Sequence, residues 1–356
     1  MRIIKNLMSV ISILFCHFSL FANNENKNLL GWIEVKPGGN TQCARGEDFS
    51  FFFFPGTTNK IVIDYIGGGA CWNALTCAEE NPTFVDSIEY IREHQRAGLH
   101  GVYDKSRHDN PVRDWHHVVI PYCTGDIHWG NNDIVYTKQN GESFTINHRG
   151  AVNAKSVFNW VKEHFTNPEK ILITGCSAGA YGSIYWLPYF REYFNTSSIY
   201  QIADSGAGVV PKDFFKQSFI NWQATKEAAT WIPEINPEEI NWQNITLEDI
   251  YSSTGKYYPE IFFSQYSSAH DVVQKFFYEI MGGNPDQWHH RLSSNFNNLN
   301  NSMNNFTFFR APGENHCILP YDTFYTNSNN GTLFIDWFNQ YIHDENPQSV
   351  NCINCS

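Results

Sequence analysis

The chain has 356 residues, with 24 Lys and Arg against 36 Asp and Glu, a formal charge of −12, and a hydrophobic content of 42% that is ample for a large folded core. A surface of that sign repels phosphate backbones, which argues against nucleic acid as a partner, and an anionic polymer would need a locally basic groove to bind. Residues 1–22 have the form of a secretory signal: Arg2 and Lys5 make a basic start, Leu7 to Phe21 is mostly apolar, and Ala22 suits the position before cleavage. The apolar run is too short and too interrupted for a membrane span. Lipid attachment at Cys16 is the weaker reading, because Phe15 stands where such a signal wants a small residue.

Loss of that segment leaves 22 basic residues against 36 acidic ones, a net charge of −14, and eight cysteines, an even number that suits an oxidising compartment and a secreted or periplasmic protein. The spacing of Cys71 and Cys77 favours one disulfide. Cys176 is expected as a small buried side chain, and Cys352 and Cys355 as a structural disulfide or as partners for Cys317.

No repeat of 20–50 residues and no long linker divides the sequence, so residues 29–356 are expected to form one domain. In chain order, strands are expected over Phe49 to Phe54, Lys60 to Ile66 and Val118 to Tyr122, a helix over Gly150 to Phe165, and a strand over Ile171 to Thr174. A helix from Ala178 toward Phe190 follows, then strands over Ile199 to Ala203, Ile261 to Gln265 and Phe306 to Phe309, and a closing helix through Leu333 to Ile342. Strands alternating with helices predict an α/β fold, α/β-hydrolase-like, with a mostly parallel sheet and helices on both faces. Pro211 to Tyr258, rich in Trp, Asn and Pro, suggests an insertion or lid, and Asn295 to Asn305 a loop or helix connection.

The segment Ile171-Leu172-Ile173-Thr174-Gly175-Cys176-Ser177-Ala178-Gly179 is an apolar strand running into a Gly-x-Ser-x-Gly turn and then a helix. Glycines two positions either side of Ser177 remove the Cβ atoms that would clash in so tight a turn, leaving the serine exposed at its apex. The Ala178 amide then lies at a helix N-terminus and points toward any oxyanion formed at Ser177. A serine hydroxyl needs an imidazole to take its proton and a carboxylate to hold that imidazole. In an α/β-hydrolase sheet these follow in the order serine, acid, histidine.

His316 meets the requirement for the base, because it lies in the loop after the Phe306 to Phe309 strand. His289 and His290 precede that strand, and His343 lies in the last helix. Asp271, a short loop beyond the Ile261 to Gln265 strand, is preferred as the acid. Its rival is Asp204, which ends the strand after the nucleophile helix and could instead brace the turn beneath Ser177. Gly67-Gly68-Gly69, after the Lys60 to Ile66 strand, stands where the second oxyanion donor belongs. It has no following lysine and no Gly-x-Gly-x-x-Gly spacing, which disfavours nucleotide binding. The histidines of Asp114-Trp115-His116-His117 and Asp126-Ile127-His128-Trp129 lack a spacing diagnostic of zinc, and no metal or other cofactor is expected.

Several segments together resemble the pectin acetylesterase/Notum family: Gly67-Gly68-Gly69-Ala70-Cys71-Trp72-Asn73 with Cys77 behind it, Pro121-Tyr122-Cys123-Thr124-Gly125-Asp126, Gly175-Cys176-Ser177-Ala178-Gly179-Ala180, Asp204-Ser205-Gly206 and Asn315-His316-Cys317. The resemblance implies an α/β-hydrolase-like fold and a triad of Ser177, His316 and Asp271. It further implies oxyanion donors at Ala178 and at Gly68 or Gly69, with Trp72 or its neighbours close to the substrate. Ala70 departs from the plant and animal members, which commonly carry a tryptophan before the cysteine, and the rest of the pattern is closer to bacterial members. The function so implied is a secreted serine carboxylic-ester hydrolase that deacetylates an O-acetylated polysaccharide such as pectin or another O-acyl substrate. The alternative is a catalytically inactive secreted carbohydrate-binding protein on the same scaffold.

Overall fold

A computed structural model describes residues 31–97, 100–211, 213–353 and 355; the expected signal segment lies outside them. Thirteen strands are present among these residues: β1 (Ile33–Val35), β2 (Phe51–Phe54), β3 (Lys60–Tyr65), β4 (His116–Ile120), β5 (Asn132–Thr137), β6 (Ser143–His148), β7 (Lys170–Cys176), β8 (Ser198–Asp204), β9 (Phe262–Ser268), β10 (Phe306–Ala311), β11 (Ser328–Asn329), β12 (Thr332–Leu333) and β13 (Val350–Asn351). Nine of them form one sheet in the order β1-β2-β4-β3-β7-β8-β9-β10-β13. Every pairing from β4 to β13 is parallel, and β1 and β2 add an antiparallel edge. β5 pairs with β6, and β11 with β12, in separate antiparallel hairpins.

The helices are α1 (Ala74–Cys77), α2 (Glu89–Ala97), α3 (Gly150–His164), α4 (Ala178–Tyr193), α5 (Phe214–Trp222), α6 (Leu247–Tyr257), α7 (Val272–Ile280), α8 (Trp288–Ser302), α9 (Thr323–Thr326) and α10 (Phe334–Ile342). They cover both faces, which is why the central strands are apolar on both sides rather than alternating. In β7, Ile171 and Ile173 join the core made with Ala154 and Val157 of α3 and Ile184 of α4. Leu172 between them joins the opposite core, with Trp337, Phe338 and Tyr341 of α10. Such burial is worth roughly 1.5–3 kcal/mol per large apolar side chain, and it fixes the sheet on which the loops below are mounted.

Two features differ from the sequence reading. Asn295 to Ser302 is the second half of α8, not a connection, because Leu292, Phe296 and Leu299 recur at helical spacing and are buried. Asn295 is itself buried, its side-chain amide donating to the Ala207 carbonyl at 2.9 Å. Cys317 pairs with Cys176, which is partly exposed and bonded rather than a small buried side chain, while Cys352–Cys355 forms as the structural disulfide expected. Cys71–Cys77 forms as expected, and Cys43–Cys123 completes the set.

Candidate active site

β7 ends at Cys176 and α4 begins at Ala178, so a single residue makes the turn between them. Ser177 has φ 57° and ψ −123°, a region that non-glycine residues enter only where the surroundings impose it. Here they do. A Cβ on Gly179 would lie 1.7 Å from the Tyr65 carbonyl oxygen, and one on Gly175 would lie 2.3 Å from the Gly179 carbonyl oxygen, so only glycine lets α4 start against β3 and β7. The Ser177 amide donates to the Asp204 carbonyl at 2.7 Å, which pins the turn to the end of β8.

Asp271 follows β9 and is the N-cap of α7. Its Oδ1 accepts from the amides of Val273 and Gln274 at 3.0 and 2.9 Å, and Oδ2 accepts from the Gln274 side-chain amide at 2.9 Å. His316 Nδ1 lies 2.8 Å from Oδ2 and 3.0 Å from Oδ1. The carboxylate is fully buried, and the imidazole is 19% exposed. With a carboxylate at Nδ1, the ring hydrogen belongs there and Nε2 is left as the basic nitrogen. Ser177 and His316 line the same two cavities.

The loop that carries His316 is fastened at four points. Cys317, at φ 60°, is joined through its sulfur to Cys176, the residue before the serine. Its amide donates to Ser205 Oγ at 2.9 Å, and the amides of Ile318 and Leu319 both donate to Asp204 Oδ2 at 2.9 Å. Asp204 is therefore a brace for the turn and the loop, and it makes no hydrogen bond to the imidazole. Its burial pushes the carboxyl up to about 7. The sequence reading offered Asp204 as a brace for the turn but did not anticipate Ser205 or the Cys176–Cys317 bond; the adjacency of Cys to both Ser177 and His316 was the available signal.

The smaller cavity, about 50 Å³, is walled by Tyr181, Val210, Phe214 and Phe277 and includes Ala178 and Gly69. The larger, about 380 Å³, is walled by Trp32, Tyr90, Tyr103 and Tyr321 and includes Gly67, Gly68 and Gly69. The glycine loop lies directly on the turn: a Cβ on Gly67 would meet the Cys176 carbonyl oxygen at 2.4 Å and the Ser177 Cβ at 2.7 Å. Its shape is held by the pairing of Val85 N with Gly68 O and of Ala70 N with Thr83 O. Among the described residues the amides of Gly68, Gly69 and Ala178 have no hydrogen-bond acceptor. Trp72 lines neither cavity. Its ring packs edge-on against Phe214, 4.9 Å between centroids, so it backs the wall of the smaller one.

Four of the other described histidines have structural partners. His117 Nε2 lies 3.2 Å from buried Asp64, and His128 Nε2 is 2.9 Å from the Ile66 carbonyl. His343 caps α10 at the surface, with Nδ1 2.7 Å from the Asn339 carbonyl. His289 opens α8 and stacks on His270. Among the described residues cysteine and histidine atoms cluster closely in two places, Cys71–Cys77–His148 and Cys176–His316–Cys317, and in both the two sulfurs are already joined to each other.

The sequence model of the pectinacetylesterase family matches residues 24–276. The chain belongs to the pectinacetylesterase family. The matched span includes Ser177 and Asp271 and ends before His316. Relatives include pectin acetylesterase 7 of Arabidopsis thaliana, 25% identical over 193 residues, which are 52% of this chain and 48% of that one. Another is the palmitoleoyl-protein carboxylesterase NOTUM of Schmidtea mediterranea, 29% identical over 150 residues, 40% of this chain and 27% of that one. The chain thus spans about half the length, or less, of these curated relatives. The crystal structure of the Wnt deacylase Notum from Drosophila superposes with a TM-score of 0.63 at 15% identity, covering 88% of this chain and 93% of that one. The pectinacetylesterase-family chain shares its α/β-hydrolase-like fold with that protein.

Proposed function

We propose that this chain is a secreted serine carboxylic-ester hydrolase that removes acetyl groups from an O-acetylated polysaccharide such as pectin. The observation that carries the reading is the strained Ser177 on its turn, sharing its cavities with an imidazole that a buried carboxylate orients. His316 Nε2 takes the proton as Ser177 Oγ attacks the ester carbonyl, and Asp271 stabilises the imidazolium. The amides of Ala178 and of Gly68 or Gly69 receive the oxyanion; loss of one such donor costs on the order of 10²–10³ in turnover. The alcohol leaves with the proton from His316, and water then releases acetate by the same route, with no cofactor in the scheme. The smaller cavity supports an acetyl-sized acyl group, since about 50 Å³ holds only a few waters' worth of atoms, and the larger one is of a size to take part of the alcohol.

The test compares the purified protein with its Ser177→Ala variant on p-nitrophenyl acetate and on acetylated pectin. Hydrolysis abolished in the variant alone is expected. Equal, background-level hydrolysis by both proteins would overturn the proposal and leave the inactive-scaffold reading.

A further inference from the structure

Arg310, in β10, is 5% exposed. Burying a guanidinium costs several kcal/mol unless an anion accompanies it. Among the described residues six other arginines pair with a carboxylate: Arg45 with Asp86, Arg92 with Glu34, Arg107 with Asp109, Arg113 with Asp114, Arg149 with Asp133 and Arg191 with Glu260. Arg310 is more deeply buried, and among the described residues it meets none. Its Nη2 lies 2.7 Å from His289 Nδ1 and 3.1 Å from Nε2, its Nη1 lies 3.4 Å from Asn351 Oδ1, and its Nε has no partner.

The rings packed beside it bring no carboxylate either. His270 stacks on His289 with ring centres 4.5 Å apart and planes 5° apart, and His290 stands edge-on to His289 at 5.4 Å. The guanidinium faces the first turn of α8, fifteen residues long, which has no side-chain cap and no acidic residue in that turn. Trp288, also in that turn, buries an indole N–H with no partner. Burial, together with the charge of Arg310 and the adjoining histidines, pushes the His289 imidazole down from its ordinary value. His270 and His289 are partly exposed and His290 is exposed, so the cluster opens to solvent through its imidazoles with the guanidinium behind them.

We propose that this cluster is an anion subsite, in which the Arg310 guanidinium supplies the charge for a carboxylate or a comparable small oxyanion and His270 donates at the mouth, with His289 held between them by the guanidinium and, at 3.1 Å from Nδ1, by the Ala269 carbonyl. It is built on the loops that carry the proposed triad: Ala269 and His270 precede Asp271, and their amides donate to the carbonyls of Ala311 and Gly313 on the way to His316. A uronate carboxylate of the polymer and free phosphate share the required chemistry. Only the first of these sources rests on the proposed function.

The experiment titrates the full chain, as wild type and as Ser177→Ala, with D-galacturonate, with neutral D-galactose and with inorganic phosphate. Calorimetry and the imidazole resonances of His270 and His289, assigned with His270→Asn and His289→Asn, give the readout. An anion is expected to bind with a Kd on the order of 1 mM and shift both resonances, galactose to leave them unchanged, and Arg310→Met to weaken binding by about tenfold or more. Preference for galacturonate assigns a substrate-borne carboxylate, and preference for phosphate a free anion. If neither anion moves the resonances, or if Arg310→Met binds as tightly as wild type, the subsite does not exist. Should Arg310→Met fail to fold, the wild-type resonances and the affinity of His289→Asn decide. Binding is read without turnover, so failure of the ester assay leaves this result standing.

Discussion

Asp204 ends β8 with its carbonyl on the Ser177 amide and its carboxylate on the amides of Ile318 and Leu319. In sequence it was a rival to Asp271 for the acid, because one ends a strand and the other follows one by a short loop at the same sheet edge; only the fold shows that Asp271 alone reaches Nδ1 of His316. The distinction is measurable. Asp204→Asn keeps an oxygen for the two amides and is expected to retain most of the turnover, whereas Asp204→Ala leaves two buried donors unpaired and should lower kcat by about 10²-fold through a displaced loop. Asp271→Asn should cost far more, on the order of 10⁴, because it presents the wrong partner to the imidazole. An Asp204→Asn variant as crippled as Asp271→Asn would return the acid role to Asp204.

Elements that carry their own signal were legible: the Gly-x-Ser-x-Gly turn and the apolar strands on either side of it follow from local chemistry, and Asp271 and His316, the proposed acid and base, meet behind it. The β5–β6 hairpin and β1 were not read, since short edge and hairpin strands owe their conformation to pairing rather than to pattern. The face of the Pro211 to Tyr258 insertion was equally hidden. Residues 211–258 contain α5 and α6, and Phe214 at the start of α5 walls the smaller cavity while packing against Phe215, Trp222 and Trp72. That element should therefore set acyl length. Across p-nitrophenyl esters from acetyl to octanoyl, wild type is expected to favour acetyl, and Phe214→Ala to raise the butyryl-to-acetyl ratio of kcat/KM by about tenfold. An unchanged ratio would remove α5 from the acyl wall.

At the scale of the whole molecule, buried ionisable groups pull stability in opposite directions with pH. Burial pushes His117, His128 and His148 down to about 4, so each contributes stability that is present above its ordinary value of 6.5 and lost as pH falls toward 4. Burial pushes Asp126 up to about 6 and Asp204 up to about 7; each favours the fold below 3.8, and that contribution is lost as pH rises through the folded value. Denaturant unfolding between pH 6.5 and 4 should separate the two sets, at about 1.4 kcal/mol for each pH unit through which a group titrates. His148→Gln is expected to lose less stability than wild type on acidification, and Asp204→Asn to lose more. Parallel curves for all three proteins would show that these groups do not govern the pH response.

The bond between Cys176 and Cys317, 141 residues apart in sequence, closes the chain into a loop with the proposed nucleophile at one end and the proposed base at the other. Ser177, Asp271, His316, α5 and α7 all lie inside it; of the groups assigned to the reaction, only the glycine loop lies outside. One peptide cut in the surface segments between α5 and α6 would leave two fragments that stay joined beside the serine, and adding a reductant to the nicked protein would be what lets them part.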